Sequence, residues 1–295
     1  MQGQQPRVKS GAVGVLRFSV HQERPATNYH HLPILPAMDL QLDKKTFCVG
    51  GVTSGLGKAV AERLLEEGAN VIGVARGKDK LDAMAETFGD RFTAYATDLT
   101  DATAVKMLGE YLAGQEITGC VLNAGGPPTG RVEELQMKDW DQAYASTLRW
   151  KIQLIEALLP ILRKRGGGRL LFLESVSIKQ PIDNLVLSNA MRAAVAGFVK
   201  TLSREVGEAG ITVNILAPGY HATPRITTVM EKSAKIQGLS LAETEVGFTA
   251  ETAVKKLGDP ADFAALAAFL LSPLGRYITG QTITVDGGLV RHITG

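Results

Sequence analysis

The chain has 295 residues, 45% of them apolar and 21% charged, with a formal net charge of +2. That length and apolar content suit a single α/β domain with a sizeable core, or a domain with a tail. The near-neutral balance gives no signature of a nucleic-acid or anionic-membrane partner, and no apolar run approaches the ~18 residues of a spanning helix.

Residues 1–37 carry four cations (Arg7, Lys9, Arg17 and Arg24), one acid (Glu23), and no sustained periodicity. Arg17 interrupts the one apolar run, which argues against a secretory signal. Ser10 and Ser19 are the only serines, so a mitochondrial-type presequence has little support. The expectation is a flexible N-terminal extension over 1–37 and a folded domain over 38–295.

From Thr46 the chain alternates strand and helix. Thr46 to Gly51 reads as a short apolar strand. Residues 56–67 follow a helical pattern, and Gly68 is placed to end it. Val71–Ala75 is a strand, Lys78–Phe88 a polar helix, and Phe92–Ala96 a third strand. Asp101 opens another helix, and Ile117–Leu122 is the fourth strand. One long helix is expected over Met137–Arg165, kinked at Pro160, followed by a turn at Gly166–Gly168 and a strand over Arg169–Glu174. The helix Ser188–Glu208 and the strand Ile211–Leu216 come next. Asp259-Pro260 starts a helix that Ser272-Pro273 stops, and Thr282–Val285 is the last strand. Such alternation predicts a parallel sheet with helices on both faces. Cys48 and Cys120 fall inside strands, without metal-ligand or redox-pair spacing, so no metal site is expected.

Gly51-Val52-Thr53-Ser54-Gly55-Leu56-Gly57 sits between the first strand and the first helix. Glycines there permit a tight turn and close approach of backbone to a pyrophosphate, and the helix start offers free N–H groups and a positive dipole end. In this strand–turn–helix context the pattern predicts a dinucleotide site.

The G-x-x-x-G-x-G spacing resembles the short-chain dehydrogenase/reductase family. Further matches are Asp98-Leu99 after the third strand, Asn123-Ala124-Gly125 after the fourth, Pro218-Gly219 with Thr223, and Tyr277–Gln281 through Val285–Gly288. The resemblance covers about residues 40–288 and implies a single Rossmann-type doubly wound α/β domain, with Met38 opening a chain of normal family length. It implies cofactor contacts from Gly51, Thr53, Ser54, Gly55, Leu56 and Gly57. It also implies Asp98 and Leu99 at the adenine, Asn123, Ala124 and Gly125 along the crevice, and Pro218, Gly219 and Thr223 at the nicotinamide. An acid at the end of the second strand would bond a ribose 2′-hydroxyl and repel a 2′-phosphate. Here stand Ala75-Arg76 and Lys78, so Arg76 favours NADP(H), with NAD(H) still possible.

The family's catalytic tetrad is Asn, Ser, Tyr and Lys. The resemblance places Ser175 at the serine, with Ser177 an alternative, and Thr147 at the asparagine. Ser188 falls at the tyrosine and Arg192 at the lysine. A phenol has a pKa of ~10, while arginine, at ~12.5 or above, does not exchange its proton near neutrality. Arg192 keeps the charge and the capacity to hold a ribose diol; Ser188 keeps a hydroxyl but not its reach. The S-x-x-x-R pair and Gly125-Gly126-Pro127-Pro128 resemble a divergent branch of the family. Tyr144 reads as helix packing, and His221 as a surface-loop histidine or a substitute acid. Residues 224–258 fall where the family has its substrate lid. Ser240 and Glu243 have capping-box spacing there. Met230, Ile236, Leu239, Leu241, Val246 and Phe248 would line a pocket or pack the lid, and Gly238 and Gly247 could be hinges.

The expectation is a cytoplasmic NADP(H)-preferring oxidoreductase with a small carbonyl/alcohol substrate, assembled as a homodimer or tetramer through helices 137–165 and 188–209. Two other readings stay open, a non-catalytic dinucleotide-binding sensor or scaffold, and a lyase or isomerase on the same fold.

Overall fold

The computed structural model describes residues 38–293; the expected N-terminal extension lies outside the described residues. Seven parallel strands form one sheet in the order β3-β2-β1-β4-β5-β6-β7. They are β1 (Thr46–Gly50), β2 (Asn70–Ala75), β3 (Phe92–Ala96), β4 (Ile117–Leu122), β5 (Gly168–Leu173), β6 (Ile211–Pro218) and β7 (Thr282–Val285). The central strands are mostly apolar because both faces are covered. In β6 every residue from Ile211 to Ala217 is buried.

Helices α1 (Gly55–Glu66), α2 (Lys78–Phe88) and α9 (Pro260–Leu271) cover one face, packing Val60, Leu64, Leu81, Phe263 and Ala267 against Phe47, Val71 and Leu171. On the other face, α3 (Ala102–Ala113), α5 (Trp150–Arg165) and α6 (Val186–Val206) pack Leu108, Leu112, Trp150, Leu158, Val195 and Val199 against Cys48, Ile72, Phe172 and Val213. The winding reverses between β1 and β4, so a crevice opens at their carboxyl ends, where ligands of such sheets bind.

The expected caps form. Asp101 accepts N–H bonds from Thr103 and Ala104, and Asp259 one from Ala261. Gly68 takes the left-handed conformation just beyond α1 that an L side chain resists. Ser240 and Glu243 close a full capping box on α8 (Leu241–Glu251).

Three features differ from the sequence expectation. The helix over 137–165 is not continuous. It consists of α4 (Met137–Tyr144), a π-helical turn at Ala145–Arg149, and α5, with Pro160 inside α5. A π turn inserts one residue into the hydrogen-bond ladder; Thr147, Trp150 and Lys151, spaced i, i+3 and i+4, share the inward face. The second helix starts at Val186, two residues before Ser188. The segment before Ser240 forms α7 (Pro224–Gln237), capped by the Thr223 hydroxyl and Pro224 and ended by Gly238 in left-handed geometry, so Gly238 is a helix stop rather than a hinge. Among the described residues no helix is long and apolar enough to cross a membrane.

Candidate active site

The glycine loop takes its shape from the strand beside it. Asn123, at the end of β4, donates its side-chain N–H to the Gly50 carbonyl at 3.1 Å. A Cβ added at Gly51 or Gly57 would lie 2.6 Å from Asn123 Nδ2, so neither position tolerates a side chain. Gly51 and Gly55 both have positive φ, which glycine adopts without strain. Ser54 is the N-cap of α1, yet its side chain makes no capping bond. The first amides of α1 therefore face the crevice without a side-chain acceptor, and the dipole end favours an anion there. Thr53 and Leu56 line the turn half-buried, and Ser54 is exposed. The cradle fits a pyrophosphate.

Arg76 is exposed just past β2. The Asp98 carboxyl is held below the usual carboxylate range, first by the Thr100 backbone N–H and with a smaller contribution from the Arg76 cation. Asp98 Oδ1 also accepts from the Thr100 hydroxyl at 2.9 Å, so this acid forms the turn after β3. Leu99 is buried beside it. Lys78 is paired with Asp82 at 2.6 Å, while Arg76 makes no such close pair and interacts electrostatically with Asp98. Ala124 is half-buried, and a Cβ at Gly125 would meet open space. At the far wall, a Cβ at Gly219 would lie 2.7 Å from Asp286, so glycine is required where β6 passes the last loop. Thr223 stands over the glycine loop, its Cγ2 3.6 Å from where a Gly55 Cβ would be. Its hydroxyl donates to the His221 carbonyl and accepts from the Ile226 N–H.

The catalytic candidates converge at the carboxyl ends of β4 and β5. Ser175 Oγ accepts the Ser177 N–H at 3.1 Å, which leaves its own proton available to donate. Ser188, near the start of α6, is buried, and its Oγ accepts Arg192 Nε–H at 3.1 Å. Arg192 also donates from Nη1 to Glu174 Oε2 at 2.8 Å. The other oxygen of Glu174 accepts from Lys151 Nζ. Lys151 and Glu174 are almost wholly buried, with the Trp150 ring 5.6 Å from the ammonium. Burial lowers the Lys151 pKa first, the Glu174 charge opposes that shift, and Arg192 adds to it. Thr147 Oγ1 and Ser177 Oγ are buried with no protein partner.

Sequence reasoning missed Lys151 and Glu174. The signal was there: Lys151 occupies an apolar-stripe position between Thr147 and Leu154, and Glu174 ends an otherwise apolar strand. An unlike-charged pair at two core positions marks a buried ion pair.

The remaining polar candidates lie elsewhere. His221 is buried rather than on the surface, edge-on to Phe263 of α9 at 5.4 Å between centroids. Burial, its largest influence, lowers its pKa, with the Gly219 carbonyl and nearby acids opposing. This is a core histidine rather than a substitute acid. Tyr144 is largely exposed at the end of α4 rather than packed. Tyr220 packs its ring, tilted, against Phe248 and donates to Glu251 at 3.1 Å, tying the segment after β6 to α8. Of the apolar lid residues, Met230 is buried, while Ile236, Leu239, Leu241 and Val246 face outward and line no closed pocket.

Comparison with known proteins places this geometry in context. The profile described as Enoyl-(Acyl carrier protein) reductase matches residues 51–290. The chain is 32% identical over 254 residues to the 3-oxoacyl-[acyl-carrier-protein] reductase FabG of Vibrio cholerae, covering 85% of this chain and 99% of that protein. It is 30% identical to Dehydrogenase/reductase SDR family member 4 of Bos taurus, covering 85% and 89%. Among solved structures, L-sorbose reductase of Gluconobacter frateurii, complexed with NADPH and L-sorbose, superimposes with a TM-score of 0.82 at 28% identity, covering 87% of this chain and all of that one. Actinorhodin polyketide ketoreductase with NADPH gives a TM-score of 0.80 at 28% identity, covering 85% and 99%.

Proposed function

We propose that this chain, which belongs to the short-chain dehydrogenase/reductase family, is an NADP(H)-preferring oxidoreductase that interconverts a carbonyl and an alcohol through an S-x-x-x-R site. The carrying observation is the cradle at Gly51–Gly57, closed to side chains by Asn123 and open at the α1 amides, with Ser175 and Arg192 in the same crevice. The relatives support the cofactor, since NADPH is bound in the sorbose reductase and polyketide ketoreductase structures.

Gly51, Thr53, Ser54, Gly55, Leu56 and Gly57 would hold the pyrophosphate. Arg76 would pair with the 2′-phosphate, and Asp98, Leu99, Asn123, Ala124 and Gly125 would line the adenosine and ribose side. Pro218, Gly219 and Thr223 would bound the nicotinamide. The reduced nicotinamide, when bound, supplies a hydride to the carbonyl carbon. Ser175 Oγ–H donates to the substrate oxygen. Arg192 anchors the nicotinamide ribose and its charge stabilises the oxyanion that develops. Ser188 holds Arg192 Nε and gives up no proton itself, so the proton that completes the alcohol comes from water at that oxygen.

A second reading is favoured by the same pair: with no phenol beside Arg192, the site suits a dinucleotide sensor that turns nothing over. The oligomer is expected to be a homodimer or tetramer. A reducing cytoplasm suits Cys48 and Cys120, which stand opposite each other in register on β1 and β4 as free, buried thiols.

Fluorescence titration of the full chain with NADPH and NADH tests the cofactor reading. NADPH is expected to bind more tightly, and Arg76→Ala to weaken NADPH by about tenfold while leaving NADH nearly unchanged. A folded protein that binds neither nucleotide would sink the reading. Binding without NADPH oxidation by L-sorbose, an acetoacetyl ester or a keto-steroid would favour the sensor.

A further inference from the structure

The S-x-x-x-R pair does not stand alone. It is one end of a buried ladder that runs Lys151, Glu174, Arg192, Ser188 across three elements: α5, the end of β5 and α6. We propose that Glu174 and Lys151 are positioning residues for Arg192. Glu174 fixes the direction of the guanidinium, and Lys151 returns the positive charge that Glu174 would otherwise cancel. The inference rests on the reading of Arg192 as the ribose anchor.

The geometry argues it donor by donor. A guanidinium has five N–H donors in one plane. Nε–H goes to Ser188 Oγ, and one Nη1–H to Glu174 Oε2. Two bonds from opposite sides of a planar group, Nε–H pointing away from Cδ and Nη1 lying on the Cδ side, fix both its position and its rotation. Both N–H groups of Nη2 stay uncommitted. A Cβ built at Gly126 would lie 3.4 Å from Arg192 Nη2, so that nitrogen looks toward the Gly125-Gly126 segment after β4, the mouth of the cofactor crevice. Arg192 keeps 13% of its side chain exposed, enough for a ligand to reach.

The charge balance explains why two further residues are present. Arg192 with Glu174 alone would be a neutral pair, and a neutral pair exerts little field on a developing oxyanion. Lys151 on the other carboxylate oxygen leaves the group with one net positive charge. It also gives both Glu174 oxygens a cationic partner, which a fully buried carboxylate requires. An ordinary lysine at position 192 would bring the same single charge on a flexible stem. The arginine ladder brings it as a planar fork held from behind.

The test is a cycle of NADPH affinities, because cofactor binding needs no substrate. One block is Glu174→Gln with Lys151→Met, a neutral pair that removes both wholly buried charges together and leaves the partly exposed Arg192 an amide oxygen to donate to. The other is Arg192→Met, which leaves Lys151 and Glu174 to each other. Each block alone should weaken NADPH binding by about tenfold. The two together should be no weaker than Arg192→Met alone by more than about twofold, because Glu174 acts only through Arg192. Additive losses, near a hundredfold together, would overturn the proposal, as would unchanged affinity in the neutral pair. Loss of folding in the neutral pair, judged by circular dichroism while Arg192→Met stays folded, would also overturn it by making the ladder a requirement of the core. A wild-type chain that binds no NADPH removes the cofactor reading and this inference with it.

Discussion

His221 shows how one side chain can be found in the sequence and still be misread. Its position after Pro218-Gly219 suggests a loop near the nicotinamide, but the ring is buried on Phe263, and a Cβ on Gly258 would sit 2.8 Å from it. Because burial lowers its pKa, the folded protein binds a proton at lower pH than the unfolded chain does. Stability from this group is therefore complete above the ordinary histidine pKa of about 6.5 and is lost as pH falls through the lowered value. Thermal denaturation of wild type and His221→Gln at pH 8 and pH 5 measures this. Acidification should cost the wild type more, so its Tm advantage shrinks or reverses; an advantage independent of pH would refute the assignment. Other residues were legible from local chemistry. Gly51 and Gly57 were expected from the strand–turn–helix context, whereas Asn123, Ser175, Ser188 and Arg192 were expected only through the family resemblance. Lys151 and Glu174 are 23 positions apart and meet through tertiary packing alone, so their pairing had no local signature beyond two charges at apolar positions.

Element boundaries followed the strength of their stop signals. Asp101, Gly68, Asp259-Pro260 and Ser240 with Glu243 each supplied or blocked specific backbone hydrogen bonds, and the helices obey them. The π turn at Ala145–Arg149 carries no glycine or proline and no cap; tertiary packing decides it. Thr147 and Lys151, four positions apart across its end, face inward together. The lid is the opposite case, held largely by local bonds. The Ser240 hydroxyl accepts the Glu243 N–H at 3.2 Å, and the Glu243 carboxylate returns to the Ser240 N–H at 2.9 Å. Ser240→Ala should fray the first turn of α8 and raise amide exchange there by about fivefold, with α9 and the sheet unaffected. Unchanged exchange in α8 would mean that Tyr220, through Glu251 and Phe248, holds the lid instead.

For the whole molecule, a parallel sheet between two helical layers followed from alternation, the strand order is seen only in the fold, and assembly is a matter for experiment. Ala190, Ala193, Ala194 and Gly197 all lie exposed along α6, and a side chain at Gly197 would meet nothing within 4 Å. That smooth stripe suits close approach of a second copy. Sedimentation of the wild type should give a dimer or tetramer, and Ala194→Glu should shift it toward the mass of one chain; a wild-type monomer would end the oligomer expectation. The bond from Asn123 to Gly50 has a consequence in time. It spans 73 positions, so the glycine turn proposed to hold the pyrophosphate cannot be finished when β1 and α1 first emerge during synthesis. It sets only after β4 has been made and has inserted beside β1, a non-local closure of the slow kind. A nascent chain is therefore blind to its nucleotide until that point. Cofactor added to a refolding mixture should stabilise the finished sheet without hastening its first steps.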